Sequence, residues 1–508
     1  MKIFIYFILC IFLFSVKCYA APPMPGKPGT QIGPKDGVGS IWQRRETGTN
    51  IKGALPFTTE EARVIVLRVE FADGGSGYTG APSGKLITSR EDTEELMEKL
   101  RGYYQEVSYG QLDLEIEVTQ SIYQLSHSMD YYGSGNERPE DLLKNAVRAA
   151  DTDIVFSGFD AVIVYHAGFG QESNREVVND IWSVFLSVSP ILTNDGVTIR
   201  EGSIVPEKES GASPLGVIAH EFGHQLGLPD LYNTDTQKSV IGSWGLMDAG
   251  AWLENGFSPG HLCAWSKAYL GWIVPLSVSS ESVNEVYQIE NYQNESLYKI
   301  MVKGKVAEYF LISNRQRWGY DSALPGDGLL IWHIDDNIGS IGQNTVNNYD
   351  PPRVYLENGR PFYQGGKDAF TSNTTPNSDA NDGSYSGVAL KDISHSQEMM
   401  YVGVQITPVG EIFAYPNPTY NGQTTIRFMP SSRGITAQEI KIAIYDISGE
   451  LVLETGGNKI DTYFDPFLYY EYHFDGKNKA GKKVASGIYI YCIKCGKETE
   501  CNKMAVKK

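Results

Sequence analysis

At 508 residues the chain is too long for one core, so about two to four domains are expected. Its composition, 41% hydrophobic and 20% charged, is that of a folded protein, and 31 Tyr beside 53 Gly lean towards strands and turns over long helices. The formal net charge of −18 argues against a nucleic-acid partner, since no basic surface would neutralise phosphates; it mainly serves solubility.

The chain opens with Lys2 and an apolar run from Ile3 to Val16, closed by the small residue Ala20. That is the pattern of a secretory signal peptide over residues 1–20, too short and wrongly flanked for a stable membrane span. No other apolar stretch approaches bilayer length, so no transmembrane span is expected in the mature chain. Residues 21–60, with Pro22, Pro23, Pro25, Pro28 and Pro34, read as a pro-segment or linker without a core of its own.

Order begins with a buried strand at residues 64–71, followed by an amphipathic helix over 90–106 and a half-exposed strand alternating at Leu112, Leu114, Ile116 and Val118. A second helix is predicted over 139–151, opened by Pro139 and two acids, and another buried strand over 161–166. Strands and helices alternate as far as residue 275, giving an α/β (α+β) domain over 61–275. Residues 276–408 keep strand-like runs between loops dense in Asn, Asp, Gly and Ser, a β-rich extension of the preceding module. Residues 409–508 bring short strands at sandwich spacing.

The chemistry concentrates in residues 215–230. His220 and His224 stand four apart, so a helix puts both imidazoles on one face, a pairing that suits Zn²⁺. Glu221 projects where it can take a proton from the water activated at the metal. Gly227 lets the chain leave the helix in a left-handed conformation and Pro229 forbids its continuation, so Asp230 can return as third ligand. One position is then left for water, as a catalytic zinc requires. The competing third ligand is a downstream carboxylate, with Glu254 nearest.

The run from His220 through Asp230 to Tyr232 resembles the signature of the immune inhibitor A-like metalloproteases, relatives of the metzincins. The resemblance continues in Ser243-Trp-Gly-Leu-Met247, which makes Met247 the expected Met-turn beneath the zinc, and in residues 258–272, a following helix with Ser258 as N-cap and Pro259 in its first turn. It also touches residues 103–110, 165–168, 314–317 and 324–336, covering about residues 60–405 and implying a metzincin-like catalytic domain. The sequence departs from the family at Val184, where His is frequent. That position is not an expected ligand, so the departure bears on substrate contacts. A Tyr just after the Met-turn is also missing, which makes Tyr232 a candidate transition-state contact, with His166 at a strand end as another. Residues 21–60 hold no Cys, so a thiolate cannot block the metal from there, whereas Asp36 could.

Asp335, Asp336, Asp368, Asp379 and Asp382 lie in Gly/Asn-rich loops whose hard oxygens could also hold Ca²⁺. Near the C-terminus, Tyr415-Pro-Asn-Pro418, residues 424–428, 444–449 and 485–491 and the basic end Lys503–Lys508 resemble the C-terminal sorting domain of type IX secretion substrates. That is an immunoglobulin-like sandwich, and it implies the type IX machinery as partner and an extracellular or cell-surface destination. Cys495 and Cys501 flank a short turn and are expected to pair across a hairpin. Together these readings give a secreted zinc metalloendopeptidase acting on proteins or peptides. The competing reading is a surface adhesin on a protease-like scaffold, which would have no need of Glu221 as a base.

Overall fold

The apolar run starting at Val64 becomes the middle of the main sheet in the computed structural model. The model describes residues 17–25, 61–72, 84–133, 138–173, 177, 179–278, 285–290, 296–303, 305–406, 413–420, 422–428, 436–464, 468–495 and 498–507. The first elements are β1 (Lys17–Ala20), β2 (Glu61–Glu70), α1 (Arg90–Val107), β3 (Asp113–Val118), β4 (Tyr123–Gln124), α2 (Met129–Gly133) and α3 (Pro139–Ala150). After them come β5 (Ala161–Phe169), β6 (Val184–Leu192), β7 (Thr198–Lys208), α4 (Leu215–Gln225) and α5 (Ala264–Tyr269). The chain divides into two units. One holds the described residues of Met1–Leu276, Glu290–Leu297 and Leu311–Arg360, the other those of Ser277–Ile289, Tyr298–Phe310 and Pro361–Lys508.

In the first unit the strands run β1-β6-β7-β5-β2-β3, with β4 beside β2. Neighbours from β7 to β3 are parallel, while β6 and β1 run antiparallel at the other edge. Val64, Ile65, Val66, Leu67 and Val69 are all fully buried, as a central strand covered on both faces must be; this is why β2 shows an apolar run without alternation. Helix α1 starts at a capping box: Ser89 Oγ accepts from the Asp92 N–H (3.0 Å) and the Ser89 N–H donates to Asp92 Oδ2. Its stripe of Met97, Leu100, Tyr103, Tyr104 and Val107 is buried at helical spacing, and α1 packs on β3 and α4.

Residues 21–24 of the expected pro-segment or linker lie against the first unit, with Ala21 and Pro22 buried; residues 26–60, including Asp36, lie outside the described residues. Two sequence expectations need revision. The 276–408 extension is not one body, because 311–360 joins the first unit and 361–406 the second. Asn344, Asn347 and Asn348 give the reason: their amides bond Asp230, Leu231 O and Thr234, which ties that loop to the chain after α4. Ser258 does not cap a helix. Its hydroxyl donates to Tyr320 O, and the following helix α5 begins only after Cys263.

In the second unit, residues 388–391 and 399–406 pair antiparallel. The C-terminal part forms two four-stranded sheets, ordered 413–415, 424–428, 468–474, 461–464 and 451–456, 440–446, 487–495, 498–506. Ile426, Phe428, Ile440, Ile442, Ile444 and Tyr491 join both sheets in one core, alternate residues facing inward as a half-buried strand requires. The disulfide is Cys492–Cys501, not the expected Cys495–Cys501. In the hairpin register Cys492 faces Cys501 at a Cα separation of 4.0 Å, while Cys495 lies opposite Glu498 and is buried outside the disulfide.

Candidate metal centre

Helix α4 is buried over its whole length, which is what allows it to carry a polar site inside the fold. It packs on β6, β7 and β1, and α1 braces it: the Tyr104 hydroxyl donates to Ala219 O (2.6 Å) and its ring meets Phe222 edge-on. Gly216 makes close approach possible, since a Cβ there would lie 1.9 Å from Ala251 O. Backbone cannot yield as a flexible side chain can, so Gly216→Ala is expected to destabilise the protein by about 1–3 kcal/mol or more. An unchanged denaturant midpoint would contradict that packing.

The helix ends as its sequence predicts. Gly227 sits at φ +96 and its N–H donates to His224 O, and the Leu228 N–H donates to Gly223 O. The turn places Leu228 O where it accepts the Nδ1–H of His224 (2.7 Å), while Leu246 O accepts the Nδ1–H of His220 (3.0 Å). With both Nδ1 atoms committed as donors, each Nε2 carries its lone pair inward. His220 Nε2 lies 3.1 Å from His224 Nε2, and Asp230 Oδ1 lies 3.0 and 3.3 Å from the two. Tetrahedral zinc with ligands at about 2.0–2.1 Å needs donor atoms roughly 3.3 Å apart, so two imidazole nitrogens and a carboxylate oxygen converging here fit that ion.

Asp230 is itself held by Asn344, whose Oδ1 accepts the Asp230 N–H (2.7 Å) and whose Nδ2 donates to Oδ2. Burial opposes ionisation of this carboxyl, while the imidazoles of His224 and His220, when they carry a proton on Nε2, pull its pKa below the usual range. Tyr232 is buried next to it; burial and the neighbouring Asp230 carboxylate push the phenol well above its ordinary value. Glu221 is fully buried, and neither of its carboxylate oxygens has a hydrogen-bond partner. Burial, then the charges of Asp230 and Glu172, drive its pKa well up, while the backbones of Phe185 and Ala21 pull the other way.

Met247 lies under the helix. Its carbonyl accepts the Leu231 N–H (2.7 Å), and a Cβ on Gly223 would come within 2.7 Å of its sulfur. The loop before it is gathered by Asp248, whose Oδ2 accepts the N–H groups of Val240, Ile241 and Gly242.

Other expected residues do not join the centre. His166 is buried in the core against Phe71; its Nδ1 bonds Ala167 O and burial lowers its pKa to about 4. Glu254 is exposed at a left-handed turn (φ 49), a poor position for a ligand. The five candidate calcium aspartates do not assemble. Asp336 faces Arg353, Asp382 pairs with Lys305 at 2.6 Å, and Asp368 is exposed. Among the described residues the one group of His, Cys, Asp or Glu side chains with ligand atoms gathered for a metal is built on His220, Glu221 and His224.

Sequence reasoning missed Asn344, Trp182 and Trp252, and the buried Glu172. Glu172 accepts from the Ser183 N–H (3.1 Å) and the Ser183 hydroxyl, with its pKa raised by burial. An Asn-rich loop and two isolated Trp carried no spacing that would have marked them.

A His-Glu-x-x-His helix, a returning aspartate and a methionine beneath it define a metallopeptidase type of centre. The comparisons with known proteins name the kind. Residues 159–273 match the family model of the immune inhibitor A peptidase M6 catalytic domain, so this part of the chain is similar to the immune inhibitor A-like metalloproteases. Immune inhibitor A of Bacillus thuringiensis subsp. alesti is 27% identical over 306 residues, 47% of this chain and 44% of that protein. Pre-pro-metalloprotease PrtV of Vibrio cholerae serotype O1 (strain M66-2) is 28% identical over 180 residues, 32% of this chain and 17% of that one. The chain thus spans less than half the length of these relatives. Among solved structures, dimeric latent PorU from Porphyromonas gingivalis matches 22% of this chain and 11% of that one at 21% identity, with a TM-score of only 0.16.

Proposed function

We propose that the protein is a secreted zinc-dependent endopeptidase that hydrolyses peptide bonds in extracellular proteins. The observation carrying this reading is the convergence of His220 Nε2, His224 Nε2 and Asp230 Oδ1 within 3.0–3.3 Å beside a buried Glu221 that has no hydrogen-bond partner. Zinc bound there supplies Lewis acidity to the scissile carbonyl and to the attacking water. Glu221 would accept the water's proton and deliver it to the leaving amine. Leu246 O and Leu228 O hold the imidazoles in the ligating tautomer, and Asn344 orients Asp230. Met247 gives the helix an apolar floor. A binding scaffold would gain nothing from a partnerless buried carboxylate at this point, which weighs against an adhesin.

The test is metal analysis with cleavage of an unstructured protein. About one zinc per chain and hydrolysis abolished by a chelator, then restored by zinc, are expected; hydrolysis indifferent to the chelator would end the reading.

Residues 409–508 are proposed as a type IX sorting domain with an immunoglobulin-like sandwich, supported by the motif order in the sequence and by the two sheets sharing one core. Among the described residues no helix is long and apolar enough to cross a membrane. Deleting residues 409–508 is expected to leave peptidase activity in the purified protein and to trap it inside the cell envelope. Normal export of the truncated chain would refute the sorting role.

A further inference from the structure

Residues 103–110, 258–272 and 314–317, which the metal centre leaves without a task, meet in a buried ionic cluster around His261. Residues 259–263 belong to no helix or strand, so side-chain bonds decide where this stretch lies. The His261 N–H donates to Asp321 Oδ1 (2.9 Å), and Arg315 grips both oxygens of Asp321, at 2.6 and 2.7 Å. The imidazole lies between Lys267, whose Nζ donates to Nδ1 (3.1 Å), and Glu106, whose Oε1 accepts the Nε2–H (2.7 Å). Lys267 has donors only, which fixes this tautomer. It also donates to the Tyr109 hydroxyl (3.0 Å), and Glu106 accepts the Tyr320 N–H (2.9 Å). His261, Lys267, Arg315 and Asp321 are buried, while Glu106 is partly exposed. The cluster touches the loop before Met247 twice. His261 O accepts the Leu246 N–H (3.2 Å), and an Arg315 nitrogen donates to Trp244 O (3.4 Å). Leu246 O in turn accepts the Nδ1–H of His220, so two hydrogen bonds separate His261 from a proposed zinc ligand.

We propose that His261 is a positioning residue for His220, acting through Leu246, and that Lys267 and Glu106 clamp its ring for that purpose. The inference rests on the zinc reading of the centre and adds what holds the His220 imidazole from behind. The hydrogen bond opposite the metal sets a ligating imidazole's tautomer and direction. Leu246 O supplies that bond, yet Leu246 stands in a turn, outside any helix or strand. Its own N–H is therefore where its direction is fixed, and His261 O is the partner there. Stability alone does not account for the cluster. Two cations and two carboxylates are drawn from water, a cost that their attraction often does not offset, and apolar residues of similar volume would hold the fold as well.

The test reads two quantities in the full chain: zinc affinity by chelator competition, and the exchange rate of the His220 Nδ1–H by NMR with ¹⁵N-labelled histidine. Lys267→Met keeps a long side chain in the buried site and removes the donor. It should speed the exchange about tenfold or more and weaken zinc about 3- to 10-fold, below what loss of a partner bonded directly to a ligand costs. His261→Ala should do the same. His261→Gln, whose amide can donate to Glu106 and accept from Lys267, should return both quantities to within about threefold of the parent. In these variants kcat should fall while KM stays within about twofold. Leu143→Ala, fully buried on α3 outside the cluster, reads the effect of lost stability alone and should leave exchange and zinc affinity as in the parent. Glu106→Gln, at the partly exposed end of the cluster, carries the same test if Lys267→Met fails to fold. Exchange and affinity that ignore Lys267 and His261, or that Leu143→Ala moves equally, would overturn the proposal. Exchange is also read in the metal-free chain, so a parent that binds no zinc would sink the zinc reading while the link from His261 to His220 is still decided.

Discussion

Replacing Glu221 with Gln is expected to lower peptide hydrolysis by roughly 10²–10⁴-fold, the usual worth of a general base, while zinc stays near one per chain. The reasoning starts from what Glu221 touches. Both its oxygens are buried without hydrogen-bond partners, while the converging donors are two imidazoles and Asp230. Gln keeps the shape and removes the basicity. The substitution also removes a carboxylate whose ionisation burial opposes, so melting temperature should hold or rise rather than fall. Zinc content, a thermal melt and a progress curve on one preparation read the three quantities. Loss of zinc along with activity would make Glu221 a ligand, and retained activity would remove it from the mechanism.

Much of this site could be read from the sequence because its parts are local. His220, Glu221, His224, Gly227 and Asp230 fall within eleven residues, where helical period and the left-handed turn fix the geometry almost alone. Met247 was reachable only through the family resemblance, since the contact that defines it, its sulfur against Gly223, spans 24 residues. Asn344 could not be foreseen: it meets Asp230 across 114 positions, from a loop whose composition marked it merely as a loop. The same distance effect explains the domain boundary. Composition placed 276–408 in one extension, but the amides of residues 344–348 bind the chain after α4 and draw 311–360 into the protease unit. At His166 the sequence left a core histidine standing beside a catalytic one, and the structure packs it against Phe71 with Nδ1 bonded to Ala167 O. The disulfide turned on register: spacing in sequence brought Cys495 near Cys501, and the hairpin's two-residue alternation put Cys492 opposite it instead.

The third ligand is the point where a single substitution should have the largest effect on the metal. Asp230→Ala is expected to weaken zinc by more than the ~10–100-fold that loss of an outer partner costs, and to take activity with it. The carboxylate lies at 3.0 and 3.3 Å from two nitrogens that already face inward, so its removal leaves a site with two donors where catalytic zinc has three. Asn344→Ala should fall in the intermediate range, because it frees Asp230 to turn without deleting it. Glu254→Ala removes an exposed acid and should change stability by less than about 0.5 kcal/mol, leaving zinc unaffected. Competitive titration of the three variants against a chelator of known affinity ranks them. The order Asp230, Asn344, Glu254, with the last equal to the parent, is the expected result. A chain that keeps parental affinity without Asp230 and loses it without Glu254 would mean that the returning turn after Gly227 has no part in the metal site. The helix pair of imidazoles would then need a carboxylate from downstream.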